Sequence, residues 1–160
     1  MKSFLLSWLA KRYAGADLRT FLKERTEEWV VWEAGPWRPP AVGRETMAAT
    51  PATRLLSAGE SLAIALAPGP GGDVRVGRAP ENDVVIDDAT LSRSHLVLRR
   101  DPAGVWSARD AGSSNGTRVD GARIGGAPVP ITPGARIEAG TVRLTFYDGA
   151  SLFMRLRGTG

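Results

Sequence analysis

From Ser61 onward, apolar positions alternate with polar ones or gather in short runs, and turn residues break the pattern every few positions. Leu62, Ile64 and Leu66 alternate with alanines, and Val74 and Val76 flank Arg75. Val84-Val85-Ile86 and Leu96-Val97-Leu98 are compact apolar runs, and Val105–Arg109 follows the hairpin-forming Asp101-Pro102-Ala103-Gly104. Asp120-Gly121 is a type I′ turn signal after Thr117-Arg118-Val119. Arg136–Glu138, Val142–Phe146 and Leu152–Leu156 complete the set. A period of two, rich in β-branched residues, predicts half-buried strands, and many short strands predict a sandwich or barrel. No helical window is expected in this half.

The first third reads differently. Leu5, Leu6, Trp8, Leu9 and Tyr13 share one face of a short helix, and Asp17 is placed to cap a second helix from Leu18 to about Glu28. Trp29–Trp32 predicts a short strand, ended by the prolines of Gly35–Pro40. Periodicity is lost from Ala41 to Gly59. The predicted organisation is a mixed helix/strand appendage over 1–40, a linker over 41–60 and an all-β domain over 61–157.

Composition narrows the function classes. The chain has no cysteine and one histidine, which excludes disulfides, thiolate sites and multi-histidine metal centres. No metal or cofactor is therefore expected. The net charge of +4 invites nucleic acid, but from Ser61 onward 12 arginines stand against 10 acids with the signs interspersed. No dense basic stripe, and so no nucleic-acid partner, is expected. No apolar run is long enough to span a membrane. The stretch from Met1 to Ala16 is broken by Ser7 and carries Lys11 and Arg12, so it does not read as an export signal. A cytoplasmic site of action is the expectation.

Three polar clusters sit between the strands: Gly77-Arg78, Leu91-Ser92-Arg93-Ser94-His95 and Gly112-Ser113-Ser114-Asn115-Gly116-Thr117. A permanent guanidinium, hydroxyl donors and a side-chain amide together suit recognition of a phosphate and of the chain carrying it. His95 beside serines tempts a catalytic reading. No third orienting group, nucleophile elbow or phosphate-loop lysine accompanies it, so an enzyme is not expected.

The segments Val76–His95, Trp106–Gly121 and Pro133–Phe146, in this order and spacing, resemble the forkhead-associated (FHA) domain family over about residues 61–157. Ala135 departs from the aspartate often found in the family, at a turn away from the clusters. The resemblance implies an all-β fold, an eleven-stranded FHA-like β-sandwich (SMAD/FHA type) that binds phosphothreonine peptides through loops at one end. It implies that Arg78, Ser92, Arg93 and Ser114 contact phosphate and that Asn115 holds the peptide main chain. Gly77, His95, Gly112, Gly116 and Thr117 are then structural, with Gly77 allowing a sharp turn and Gly116 a positive φ.

The implied function is a phosphothreonine-peptide adaptor acting downstream of a Ser/Thr protein kinase, with a phosphothreonine-containing protein as partner. Two alternatives stand beside it. Linker Thr46, Thr50 or Thr53, once phosphorylated, could dock into the chain's own pocket. Alternatively, the N-terminal tryptophans could form a phosphate-independent assembly surface.

Overall fold

The structure, a computed structural model, describes residues 1–35 and 59–158. Trp37 of the expected appendage and most of the expected linker, with Thr46, Thr50 and Thr53, lie outside the described residues. Among the described residues, twelve strands form two sheets. They are β1 (Lys2–Leu5), β2 (Glu28–Trp32), β3 (Leu62–Leu66), β4 (Asp73–Gly77), β5 (Val84–Val85), β6 (Leu96–Arg100), β7 (Trp106–Asp110), β8 (Thr117–Val119), β9 (Ala122–Ile124), β10 (Val129–Ile131), β11 (Arg136–Ala139) and β12 (Val142–Tyr147). One sheet has seven strands in the order β1-β3-β2-β12-β11-β8-β9, the other five in the order β10-β7-β6-β4-β5. Their facing sides enclose the main core, which includes Val30, Trp32, Ile64, Val76, Leu98, Ile137, Leu144 and Phe146.

Residues 1–35 are not an appendage. β2 lies between β3 and β12, pairing Trp32 with Leu62 on one side and with Leu144 on the other. β1 extends the same sheet past β3. The expected boundary between 1–40 and 61–157 therefore divides residues that share one hydrogen-bonded sheet. The tryptophans follow suit: Trp29 and Trp32 are buried on opposite faces of β2, while Trp8 is 46% exposed and stacks on Phe4. Among the described tryptophans only Trp8 is available to a partner.

Helices α1 (Leu6–Arg12), α2 (Leu18–Glu24) and α3 (Gly149–Gly158) cover the outer face of β1, β3 and β2. Leu9, Tyr13, Phe21, Trp29, Val31, Leu152, Phe153 and Leu156 form this second core. Asp17 caps α2 by accepting the Thr20 N–H at 2.9 Å, and α2 ends at Glu24, four residues short of the expected end. Arg25 turns back to donate to the Tyr13 hydroxyl, and Glu28 already belongs to β2.

The expected strand at Leu152–Leu156 is the helix α3. Asp148 and Ser151 cap it reciprocally: Asp148 Oδ1 accepts the Ser151 N–H at 2.8 Å, and Ser151 Oγ accepts the Asp148 N–H at 3.1 Å. With the cap in place, Leu152, Phe153 and Leu156 fall on one helical face. Arg155 then reaches Glu33 with both terminal nitrogens, one at 2.8 Å, and donates to the Tyr147 hydroxyl. Burial alone would push the Glu33 carboxyl up, but the Arg155 and Thr145 hydrogen bonds and the nearby guanidinium charges hold it below the usual range.

The helices stop at β12. Beyond them β12, β11, β8 and β9 present a face that no described residue covers, carrying Arg143, Arg136, Glu138, Arg118 and Arg123. The signs stay interspersed on this face, with Glu138 between Arg118 and Arg143, but positive charge is in excess. Strand register brings together arginines that the linear sequence separates.

Candidate phosphopeptide-binding loops

β4 ends at Gly77, β6 begins at Leu96, β7 ends at Asp110, β8 begins at Thr117 and β11 ends at Ala139. The register pairs Val76 with Leu96, Leu96 with Asp110 and Thr117 with Ala139, so the connecting loops leave the sandwich at one end. Arg78, Ser92 and Ser114 are joined there by direct hydrogen bonds, and Asn115 is tied to the Ser92 loop through the Thr90 carbonyl.

The first two loops run side by side. The N–H groups of Arg78 and Ala79 donate to the carbonyls of Ser92 and Arg93 at 3.0 and 3.1 Å. Asn82 adds a cross-link, its Nδ2 donating to Ala79 O and to Arg93 O at 2.6 Å. Gly77 is required by this approach and not by a turn, because its φ is not positive and a Cβ there would overlap Arg93 O. Arg78 Nε donates to Leu91 O at 3.1 Å. Among the described residues neither terminal nitrogen of Arg78 is hydrogen-bonded. Arg93 is directed elsewhere, 3.7 Å from Glu81, with both side chains 68% exposed.

His95, fully buried, joins the second loop to the third. Its Nδ1 accepts the Ser92 N–H at 3.0 Å, which requires the neutral tautomer with the proton on Nε2. Nε2 therefore donates to Gly116 O at 2.9 Å. Ser92 Oγ accepts the Ser114 N–H at 3.0 Å, which leaves the hydroxyl proton of Ser92 for another acceptor. Ser114 is exposed. Asn115 donates one amide hydrogen to Thr90 O at 2.7 Å, and keeps a second hydrogen and Oδ1 for a ligand.

Asp110 shapes the third loop from within. Its carboxylate accepts the N–H groups of Gly112 and Ser113 and the hydroxyls of Ser113 and the buried Thr117. Partial burial would raise its pKa, but these donors outweigh it and hold the carboxyl below its usual range. Gly112 and Gly116 take positive φ, 84° and 81°, which lets the loop reverse around Asp110.

Sequence reasoning missed Asp88, Thr90 and Asn82. Fully buried Asp88 accepts the Thr90 N–H and hydroxyl through Oδ1 at 2.8 and 2.6 Å. Thr90 Oγ1 also accepts the Thr141 N–H at 3.0 Å from the β11–β12 turn. Thr90 thus ties three connections together while its carbonyl holds Asn115. Asp-x-Thr is a known side-chain turn signal, and it was available in the sequence.

Residues 74–140 match the FHA domain family model. The chain carries an FHA domain. It is 37% identical over 128 residues to the ABC transporter ATP-binding/permease protein Rv1747 of Mycobacterium tuberculosis, covering 72% of this chain and 14% of that protein. It is 38% identical over 73 residues to the oxoglutarate dehydrogenase inhibitor of Corynebacterium diphtheriae, covering 46% of this chain and 49% of the inhibitor. A solved structure from work on phosphothreonine-dependent FHA domain interactions superposes with a TM-score of 0.51 at 20% identity, covering 75% of this chain and 95% of that one. That likeness concerns the fold. The chain spans half or less of the length of these two relatives.

Proposed function

We propose that this FHA domain is a phosphothreonine-dependent peptide-binding adaptor, acting downstream of a Ser/Thr protein kinase and performing no chemistry of its own. The observation that carries the reading is how the rim divides its hydrogen bonds. Arg78, Ser92 and Asn115 each use some groups to hold the loops and keep others for a ligand. What they keep is a guanidinium fork, a hydroxyl proton, and an amide that both donates and accepts.

A phosphothreonine carries about −1.5 to −2 charges and three strong acceptor oxygens. The Arg78 fork fits two oxygens, the Ser92 hydroxyl a third, and the exposed Ser114 hydroxyl can join them. Asn115 would then pair with the peptide main chain, which fixes the direction of binding. Arg93 would leave Glu81 and turn to the phosphate, since an exposed ion pair contributes only about 0–1 kcal/mol. Charge-assisted hydrogen bonds contribute about 1.5–3 kcal/mol each. Several of them, less ordering costs, give roughly −8 kcal/mol, a micromolar affinity that depends on the phosphate.

The oxoglutarate dehydrogenase inhibitor, matched over 49% of its length, fits a regulatory role more readily than a catalytic one. Among the described residues no helix is long and apolar enough to cross a membrane, and no acidic, histidine or cysteine cluster could hold a metal. The proposed site of action is cytoplasmic, where a kinase and its substrates meet. The test is a phosphothreonine peptide array probed before and after phosphatase treatment. Spots that vanish with phosphatase support the reading, and capture indifferent to phosphate refutes it.

A further inference from the structure

We propose that the uncovered face of β9, β8, β11 and β12 binds an acidic segment of the same phosphorylated partner. The inference rests on the phosphopeptide reading of the loops and adds a second contact surface to it.

One row of side chains crosses this face by strand register. Arg123 stands opposite Arg118, Arg118 opposite Glu138, and Glu138 opposite Arg143. Arg136 lies on the same face, opposite Thr145. Like charges directly opposite each other on neighbouring strands destabilise a sheet. Glu138, opposite Arg118 on its other side, offsets one of the two charges and leaves Arg123 open to a further anion. Among the described residues the side chains of Arg118, Arg123 and Arg136 form no ion pair. Beyond Arg143 the row runs into a groove of about 590 Å³, lined by Glu33, Arg136, Glu138, Arg143, Thr145 and Arg155 among others. Arg155 is already engaged by Glu33, so the unpaired positive charge sits toward β9 and β8.

The row begins at the loops. The Arg123 guanidinium lies against Gly116, 3.2–3.4 Å from where a Cβ would stand, and Gly116 follows Asn115. A peptide held by Asn115 therefore reaches Arg123 without a gap. From Arg123 to Arg143 is three strand spacings, about 14 Å, which four or five extended residues cover. The chain's own residues 36–58 cannot be that segment by charge, since they carry Arg38, Arg44 and Arg54 against Glu45 alone. A second copy of this +4 chain is an equally poor match. An acidic stretch a few residues from the phosphothreonine satisfies both the charge and the geometry.

The experiment titrates the full chain with four peptides: a neutral phosphothreonine peptide, the same peptide with five acidic residues added on either side, and the better extended peptide without phosphate. At about 50 mM salt, one extension should tighten binding roughly 5–20-fold, falling below about 3-fold at 0.5 M. Arg118→Glu with Arg123→Glu should abolish that gain and, at about 0.5 M salt where long-range repulsion is screened, leave the neutral phosphopeptide within about twofold of its original affinity. The milder pair Arg118→Gln and Arg123→Gln, checked for an unchanged unfolding midpoint, should do the same and guards against misfolding. Equal affinity of extended and neutral phosphopeptides overturns the proposal, as does a gain that survives both double variants. Capture by anionic phosphatidylglycerol vesicles, with no preference for either extended peptide, would assign the face to a lipid surface and also overturns it. If no phosphopeptide binds, the loop reading fails by itself. Binding of the unphosphorylated acidic peptide, lost in the double variants, would still support the face, and no such binding would overturn it.

Discussion

Thr90→Val tests whether the rim is held by the Asp88–Thr90–Thr141 connection. Valine keeps the volume and β-branching of threonine and removes the hydroxyl. Two partners are lost: Asp88 Oδ1 at 2.6 Å, and Thr141, whose N–H at 3.0 Å and hydroxyl at 3.2 Å both meet Thr90 Oγ1. Thr141 is exposed, so water replaces the second at little cost. The first leaves a fully buried carboxyl one donor short, a loss of about 1.5–3 kcal/mol. Urea unfolding should show this as a lower midpoint with an unchanged m value, and thermal melting as a drop of roughly 3–12 °C. Peptide titration of the folded variant should show a loss of about 3–10-fold, because Asn115 hangs on the Thr90 carbonyl. Combining Thr90→Val with Asn115→Ala should cost less than the two losses added, a sign of one coupled unit. Thr90→Ser should restore both properties. A valine variant as stable and as tight-binding as the parent would refute the assignment.

Three further outcomes follow from the geometry. Glu81→Gln frees Arg93 from a weak exposed pair, and phosphopeptide affinity at low salt should rise by up to about threefold; a drop in affinity would show that Glu81 helps binding. Arg155→Met leaves the half-buried Glu33 without its guanidinium and should cost about 2 kcal/mol, read in urea, whereas an unchanged midpoint would mean α3 is held by its apolar face alone. Asp110 and Glu33 are both held below their ordinary pKa in the folded chain, so the unfolded chain takes up their protons first as pH falls. Their contribution is complete above about pH 5 and is lost on acidification through pH 4 and below. Unfolding midpoints at descending pH should trace this, with Asp110→Asn flattening the curve; a midpoint unchanged down to about pH 3 would contradict the assignment.

The loops were legible because their signals are local. Gly116, Asn115 and the Asp120-Gly121 turn, with φ of 50° and 85°, are short-range chemistry that a sequence displays directly. Pairing partners are not local. Nothing near Trp29–Trp32 says that it will lie between Leu62–Leu66 and Val142–Tyr147, so the first 35 residues looked separable. The C-terminal helix was misread because Leu152, Phe153 and Leu156 fit a strand as well as a helix, and only the Asp148–Ser151 cap distinguishes them. The basic face was hidden for the same reason as β2. Arg118, Arg123, Arg136 and Arg143 are scattered along the chain and meet only through register. Asn82, Asp88 and Thr90 looked like ordinary turn residues, and their role as braces depends on which carbonyls the fold brings near them.

The central claim is that Arg78, Ser92, Ser114 and Asn115 together grip a phosphorylated threonine. Isothermal titration of one array-selected peptide, in phosphothreonine and threonine forms, against the parent chain and Arg78→Ala measures this most directly. The account predicts micromolar binding of the phosphorylated form, no measurable heat with the unphosphorylated form, and a loss of at least about tenfold with Arg78→Ala. Equal affinity for the two peptide forms, or an alanine variant that binds as tightly as the parent, would contradict it.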